Sequence, residues 1–501
     1  FIRPSSRNLV PGHTREVWCT CGFAAGCDNV HMSNGATTVT DLKYGIESHP
    51  DSFAERWRQP DSLATRIEAG KRLRRKLPRK ALGAMPVHRR DPLDILTEQN
   101  ATRLQELLPL RAERMSQSPF AFYRGTAAIM AADFATTPHT EVLVPSCGDA
   151  HISNFGFYAS PQRTLIFDLN DFDEAAWAPW EWDLKRMIAS AVIGGQAGSR
   201  SEAALRNTVT RSVRAYARVL RAAVTQSPRE RYFMHLDAEA GMSRLPAESH
   251  AVVRQAIKQA KKRTGERAAR KLAVAGVDGR MRFTEQPPLM YRLDPPTEHR
   301  VHQFVQRYLD NAQTDVQLLM RHYTVSDVIR RVVGVGSVGT RCALTIMQDG
   351  DDNTMIFQSK EANRSVLEQY GGIIQPRSLT ESVTASGQGA RVVSLQRILQ
   401  SASDPFLGFL RFDDFDLYVR QFHDMKGGID AEQLDDEPFE TYAIACAITL
   451  ARAHAQSPLA AIVSGYVGSG KQLGEVLLEW AYDYAALSRD DFERFVAAQA
   501  G

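Results

Sequence analysis

A short polar loop between two apolar runs constrains the fold of this chain more than any other feature. The loop reads CGDAHISN over residues 147–154, and the apolar runs 141–145 and 164–169 lie on either side of it. Runs of this length and composition are typical of strands, so we expect a small β-rich region around the loop. Asp171 and Asp173 follow the second run. The sequence therefore predicts that amide and carboxylate side chains gather at one end of a strand pair.

These side chains have the chemistry that phosphoryl transfer needs. One carboxylate orients the attacking hydroxyl and accepts its proton, while an amide and a second carboxylate hold Mg²⁺ against the phosphates of ATP. We assign the first role to Asp149 and the metal to Asn154 and Asp171, with Asp173 as a ligand for a second metal ion. The spacing from Asp149 to Asn154 matches the D-x4-N of kinase catalytic loops. The alternative is that these are ordinary turn residues, because Asp, Asn and Gly favour loops.

The loop also resembles a known superfamily. Residues 148–154, GDAHISN, are similar to the H-G-D-x-H-x-x-N of aminoglycoside phosphotransferases and choline kinases, which belong to the protein-kinase-like superfamily. The resemblance implies a metal-binding aspartate after the next strand and a further aspartate that opens a helix, and Asp171 and Asp183 occupy those positions. Cys147 stands where these relatives have the first histidine, a departure that bears on the rate of the reaction more than on its chemistry.

A longer resemblance covers most of residues 90 to 490. The segments SPFAFYRG, CGDAHISNFG, NDFDEA and EWDLKRM resemble a bacterial family, domain of unknown function 2252, which belongs to the same superfamily. This resemblance implies a fold, but it brings no established substrate.

A glycine-rich turn and a strand lysine supply the rest of the nucleotide site that a kinase-like protein needs. Gly334, Gly336 and Gly339 form G-x-G-x-x-G between two predicted strands, which is the kinase context and not the strand-to-helix context of a dinucleotide fold. Lys360, in MIFQSKEA on a third strand, resembles the V-A-I-K lysine, and Glu368 is its expected ion-pair partner. The alternative for Lys360 is a solvent-facing strand lysine, because the register of a strand decides which face a residue occupies.

The order of these parts is unusual, because kinases place the glycine loop and the lysine before the catalytic loop. Either the glycine-rich block is an unrelated β domain, or the kinase-like fold is circularly permuted. The helix expected over 442–454 ends in LARAH and resembles the L-A-x-x-H-A helix that precedes the catalytic loop in aminoglycoside phosphotransferases. This resemblance favours permutation, which folds tolerate where the chain termini lie at the surface near each other.

The expected fold class is therefore α+β: a two-lobe, circularly permuted kinase-like fold with a large, mostly helical lobe and a small antiparallel β lobe. A chain of 501 residues has room for several domains. The expected divisions are a poorly ordered N-terminal tail, 1–60; a large helical lobe with the catalytic and metal loops, 61–325; a small β-rich nucleotide-binding lobe, 326–428; and C-terminal helices that complete the large lobe, 429–501.

The composition of the chain limits the kinds of partner and the compartment that we expect for this protein. Lys and Arg number 61 against 58 Asp and Glu, so no overall positive charge favours nucleic acid as a partner. No apolar run reaches the roughly 18 residues that a membrane span requires, so we expect no membrane association. Six cysteines in a chain this long do not form a disulfide framework, which favours a reducing compartment and a cytoplasmic location.

The sequence thus predicts an ATP- and Mg²⁺-dependent phosphotransferase that acts on a hydroxyl group of an unknown small molecule or protein. One alternative is a non-catalytic nucleotide-binding pseudokinase or scaffold, for which Cys147 is the chief indication. Another is transfer of the nucleotidyl group of ATP to a protein, since one fold supports more than one chemistry.

Overall fold

A computed structural model describes residues 60–86, 90–412, 414–422 and 425–500 of the chain. These residues combine helices with antiparallel strands, so the expected α+β class is confirmed. The predicted tail, residues 1–60, lies outside the described residues except for Pro60. Within the described ranges, no helix is both long and apolar enough to cross a membrane.

The helices follow apolar residues spaced three and four apart, and several begin at a serine or aspartate that caps the first turn, such as Ser62, Ser118 and Ser201. In chain order they are α1 (Leu63–Lys76), α2 (Pro92–Ala101), α3 (Leu108–Met115), α4 (Pro119–Arg124), α5 (Ala127–Ala135), α6 (Trp180–Ala197), α7 (Glu202–Val224), α8 (Pro228–Phe233), α9 (Ala238–Gly241), α10 (Ala247–Lys261), α11 (Gly265–Leu272), α12 (Pro295–Asn311), α13 (Thr314–Met320), α14 (Val366–Gln369), α15 (Arg377–Ser386), α16 (Gln388–Leu399), α17 (Asp436–His454), α18 (Ala460–Val467) and α19 (Lys471–Ala500).

The strands form one larger sheet and several two-stranded ones. In chain order they are β1 (Leu143–Ser146), β2 (Phe155–Ala159), β3 (Leu165–Leu169), β4 (Ala176–Pro179), β5 (Ala273–Ala275), β6 (Met281–Phe283), β7 (Met290–Tyr291), β8 (Thr324–Arg331), β9 (Cys342–Gln348), β10 (Thr354–Glu361), β11 (Gly408–Arg411) and β12 (Asp416–Gln421). The larger sheet has six antiparallel strands in the order β11-β12-β10-β9-β8-β7.

Both faces of the six-stranded sheet are covered. Successive strand residues point to opposite faces, so Ile356 packs in one hydrophobic cluster and its neighbour Phe357 in another. Helix α11 contributes Leu272 to the first cluster, and helix α12 contributes Tyr308 to the second. Burial on both faces accounts for the continuous burial of β10 from Ile356 to Glu361, although the residues after Phe357 are polar or charged.

Helices α6, α7 and α17 form the core of the helical part. Helix α6 is buried along most of its length, and α7 presents buried residues at spacings of three and four. Tyr216 of α7 and His454 of α17 are joined by a hydrogen bond of 2.8 Å between the tyrosine hydroxyl and Nδ1. Helices α6 and α17 also contact strand β1, and α17 contacts β3, so this core supports the small strand pairs that carry the polar loop.

Candidate active site

Two nested strand pairs place the polar loop beside the acidic residues. Strand β1 pairs with β4 and strand β2 pairs with β3, so the loop from β1 to β2 and the loop from β3 to β4 meet at the same end. We call residues 147–154 the polar loop and residues 170–175 the acidic loop. The amide N–H of Asn170 donates to the carbonyl of Asn154 at 2.9 Å, which ties the two loops together.

A glycine is required where the two loops are closest. Gly148 has a φ of +79°, in the left-handed region that favours glycine. A Cβ atom at this position would lie 2.2 Å from the carbonyl oxygen of Glu174 in the acidic loop. No side chain fits in that space, so the close approach of the loops depends on Gly148.

Helix α6 anchors the backbone of the polar loop. The carboxylate of Asp183 accepts the N–H groups of Cys147 at 2.8 Å and Gly148 at 3.0 Å. About two helical turns later, Ser190 Oγ accepts the N–H of Ile152 at 2.9 Å. Residues three and four apart share a helix face, so one face of α6 holds both ends of the loop.

Helix α17 holds the loop from another side. The hydroxyl of Tyr442 donates to the carbonyl oxygen of Ile152 at 2.7 Å, and it lies 3.2 Å from that of Phe155. His454 Nε2 lies 3.4 Å from the Asp183 carboxylate that holds the start of the loop. The helix expected over 442–454 therefore contacts both the polar loop and its anchor.

The Asp149 side chain is held by an arginine of α6. Nε and Nη2 of Arg186 each lie 2.9 Å from Oδ1 of Asp149, which leaves Oδ2 near His151, at 3.6 Å from its Nε2. Burial raises the pKa of the Asp149 carboxyl group, and the Arg186 guanidinium opposes that rise. Arg186 is itself fixed, since Nη2 donates to the carbonyl of Tyr123 at 2.7 Å. Arg186 thus fixes Oδ1 of Asp149, while Oδ2 faces His151.

Asn154 and Asp171 offer oxygen atoms to a cation. The Asn154 amide nitrogen donates to the carbonyl of Asp149 at 2.8 Å, which leaves its amide oxygen as an acceptor. Both side chains line the same cleft. Among the described residues, no three His, Cys, Asp or Glu side chains form a group that could hold a metal ion alone. This donor set fits Mg²⁺, which proteins hold through one or two carboxylates while phosphates and water complete the octahedron.

Lys360 pairs with Asp173. Its ammonium group contacts the Asp173 carboxylate and lies 3.1 Å from Ser337 Oγ, while the Tyr418 hydroxyl donates to Asp173 Oδ1 at 2.6 Å. Burial disfavours the charge on Lys360, but Asp173, Tyr418 and Asp171 outweigh that cost and raise its pKa above the ordinary value. The alternative of a solvent-facing lysine does not fit this structure, because Lys360 is only 2% exposed.

Glu368 does not reach Lys360 in the structure. Its carboxylate forms an ion pair with Arg364 at 2.8 Å, one turn away along the chain. The expected Lys360–Glu368 pair is therefore replaced by Lys360–Asp173. The register of β10 sets Lys360 opposite Cys342 and Tyr418, and the Tyr418 hydroxyl contacts the same Asp173 carboxylate.

The glycine-rich turn lines the same cleft as the polar and acidic loops. Gly334, Gly336 and Ser337 form one wall of a cavity of about 340 Å³, and Asp149, Asn154 and Asp171 form another. Gly339 has a φ of +92° and packs against Arg103. Residues that are far apart in the sequence thus enclose one site.

The sequence did not point to several residues that line the cleft, His151, Glu174 and Arg103. Nor did it point to Arg186 and Tyr418, which hold the lining residues Asp149 and Asp173. A signal existed for Arg186, because it stands three residues after Asp183 in EWDLKRM and so shares its helix face. No local pattern marks Glu174, whose carboxyl pKa burial raises to about 7.

Cys147 is a structural residue. Its side chain is buried, and burial raises the pKa of the thiol well above the ordinary value, so the thiolate is disfavoured. Cys342 and Cys446 are likewise free and buried.

The fold and the site define a mixed α+β protein whose acidic cleft is built from two paired loops and a glycine-rich turn. Within that class, the chain belongs to the family domain of unknown function 2252, described as an uncharacterized protein conserved in bacteria, whose family model matches residues 103–498. The expected family membership is confirmed. No curated protein and no solved structure matches the chain.

Proposed function

We propose that this protein is an ATP- and Mg²⁺-dependent phosphotransferase. The observation that carries the proposal is that Asp149, Asn154 and Asp171 share one cleft with Gly334, Gly336 and Ser337 of the glycine-rich turn. Phosphoryl transfer needs these parts together, because the protein contributes mainly positioning and electrostatic stabilisation to this reaction.

Each group has a role that its surroundings support. Asp149 orients the acceptor hydroxyl and takes its proton through Oδ2, because Arg186 fixes the other oxygen. Asn154 and Asp171 would hold Mg²⁺, which neutralises phosphate charge when bound. The backbone of the glycine turn covers the phosphates of ATP. Lys360 lies behind Asp173 and Ser337, so it reaches a phosphate only after its ammonium group gives up part of its contact with Asp173.

We interpret the architecture as a circularly permuted, two-lobe kinase-like fold. The antiparallel sheet with its glycine turn would be the small lobe, although it follows the polar loop in the chain. The contacts of α17 with Ile152 and Asp183 support this interpretation, because permutation requires that helix to pack beneath the catalytic loop.

ATP labelled at the γ or at the α phosphate tests the proposal. The purified protein is incubated with each form and Mg²⁺, against panels of metabolites and proteins. Label transferred from the γ position alone supports phosphotransfer. Label transferred from the α position contradicts it and identifies nucleotidyl transfer.

A non-catalytic nucleotide-binding protein is the second candidate. The observation in its favour is that Arg186 already occupies one oxygen of Asp149, the side chain that must act as base. Saturable binding of Mg·ATP with no transfer from either position, in the parent protein and across both panels, would select this candidate.

A further inference from the structure

Three arginines precede the polar loop, and they differ in their contacts. Arg111 is buried and donates hydrogen bonds to protein oxygens, including the carbonyl of Gly125 at 3.3 Å. Arg114 donates to the carbonyl of Gly334. Arg124 lines the cleft, yet its guanidinium makes no hydrogen bond or ion pair within the described part of the chain, and its Nε is buried. A buried donor without a partner is costly, so a ligand that accepts a hydrogen bond from Arg124 would be favoured there.

His151 lines the same cleft and also has an unpartnered ring atom. The residue is 3% exposed, and its buried Nδ1 has no hydrogen-bond partner within the described ranges. Nε2 faces the Asp149 carboxylate at 3.6 Å, which favours the tautomer with the proton on Nε2. In that tautomer Nδ1 can therefore accept a hydrogen bond.

Several charged groups act on Asp149. Arg186 is in direct contact with it, and Arg124 and Asp183 are close enough to act on it electrostatically. Arg124 and Arg186 also disfavour a positive charge on His151, which burial already disfavours. Arg124 thus brings to the cleft a positive charge that forms no ion pair among the described residues.

We propose that the acceptor substrate is a hydroxylated small anion, whose phosphate or carboxylate binds Arg124 and whose hydroxyl groups lie against His151 and Asp149. This inference rests on the proposed function and adds the substrate class. A guanidinium suits phosphate and carboxylate groups because its planar donors match their oxygen atoms. A cationic acceptor such as choline or an aminoglycoside would be repelled by the same side chain.

Binding of inorganic phosphate, glycerol 3-phosphate and choline to the parent protein, in the presence of Mg·ADP, tests the inference by calorimetry. We expect phosphate to bind, glycerol 3-phosphate to bind more tightly because its hydroxyls reach His151, and choline not to bind. Arg124→Gln should weaken both anions about tenfold or more, the loss expected for a charge-assisted hydrogen bond. Arg124→Lys, which keeps the charge, should recover part of the affinity.

Arg364→Gln is the matched control, because Arg364 lines the same cleft but is exposed and paired with Glu368. It should leave anion binding unchanged. Retained binding of Mg·ADP shows that each variant is folded. Equal phosphate affinity in the parent and in Arg124→Gln would overturn the inference, and so would binding of choline in place of the anions.

The remaining outcomes separate this inference from the proposed function. The parent protein is expected to bind a non-hydrolysable ATP analogue with Mg²⁺ more tightly than Mg·ADP. If Arg124→Gln abolishes this difference in affinity and leaves anion binding unchanged, Arg124 holds the terminal phosphate of the nucleotide and the inference is wrong. If the nucleotides fail to bind the parent protein while phosphate binds through Arg124, the anion site stands and the phosphotransferase proposal fails.

Discussion

Asp149 carries the sharpest expectation for a single residue. Asp149→Asn keeps the shape of the side chain but removes the base, so turnover should fall by a factor of about 100 or more, as for a positioned general base. Nucleotide binding should be unchanged, because the nucleotide site is built from other residues. Transfer of γ-labelled phosphate and calorimetric binding of Mg·ATP measure the two quantities separately.

The control for Asp149→Asn is Asp278→Asn, which changes an exposed carboxylate paired with Arg282 on a surface turn. That variant should match the parent protein in both measurements. Equal turnover in Asp149→Asn and the parent would remove Asp149 from the mechanism.

Lys185 gives a pH dependence of stability. Burial lowers the pKa of its ammonium group from 10.5 to about 8, against the opposing charge of Glu181, and the group lies 4.6 Å from the ring of Trp480. His139 also faces Lys185, and its own pKa is lowered, chiefly by burial. Between pH 8 and 10.5, Lys185 keeps its proton in the unfolded chain and loses it in the folded protein. The contribution of Lys185 to the free energy of unfolding therefore rises with pH across this window.

Lys185→Met removes this dependence. The free energy of unfolding of the variant, relative to the parent, should fall by about 2 kcal/mol as pH rises from 8 to 10.5. Urea denaturation at a series of pH values measures it. A difference that stays constant across this window would show that Lys185 does not titrate there.

At the scale of the structural elements, the stability of the polar loop depends on its close contact with the acidic loop. A methyl group at Gly148 would meet the carbonyl of Glu174 at 2.2 Å and would also strain a backbone with a φ of +79°. Gly148→Ala should lower the free energy of unfolding by about 2 kcal/mol or more, since both the backbone conformation and the space disfavour it. It should also reduce turnover, because Asp149 is the next residue.

Gly241→Ala is the matched control for Gly148→Ala. Gly241 has a φ of −69°, and a Cβ there would have no atom within 4 Å. This substitution should leave stability unchanged or slightly raised. Urea denaturation of both variants makes the comparison. Equal stabilities would show that the two loops separate without cost.

At the scale of the whole molecule, one ligand should stabilise parts that are distant in the sequence. Mg·ATP that binds only the folded protein stabilises it by about 2.7 kcal/mol at a concentration of 100 times Kd. We expect a rise in the midpoint of thermal unfolding with Mg·ATP, and a much smaller rise in Asp171→Asn. Absence of any shift with nucleotide and metal in the parent protein would contradict the phosphotransferase proposal.

The sequence predicted local structure well because local spacing determines it. Apolar residues three and four apart predict a helix over 201–224, where α7 lies, and the glycine-rich turn between two predicted strands joins β8 and β9. The same spacing also predicts one helix over 93–115, and that prediction is wrong. The chain instead forms α2 and α3, and Pro109 lies in the first turn of α3, where a proline is tolerated.

By itself, the sequence determined which side chains lie on the polar and acidic loops and that the chain resembles the family it belongs to. Only the tertiary structure decided that Lys360 pairs with Asp173, that Arg186 holds Asp149 and that Arg124 has no partner in the described part of the chain. The physical reason is that these pairings join segments distant along the chain. Which charges meet there depends on strand register and on the burial of both partners, and neither is encoded in local spacing.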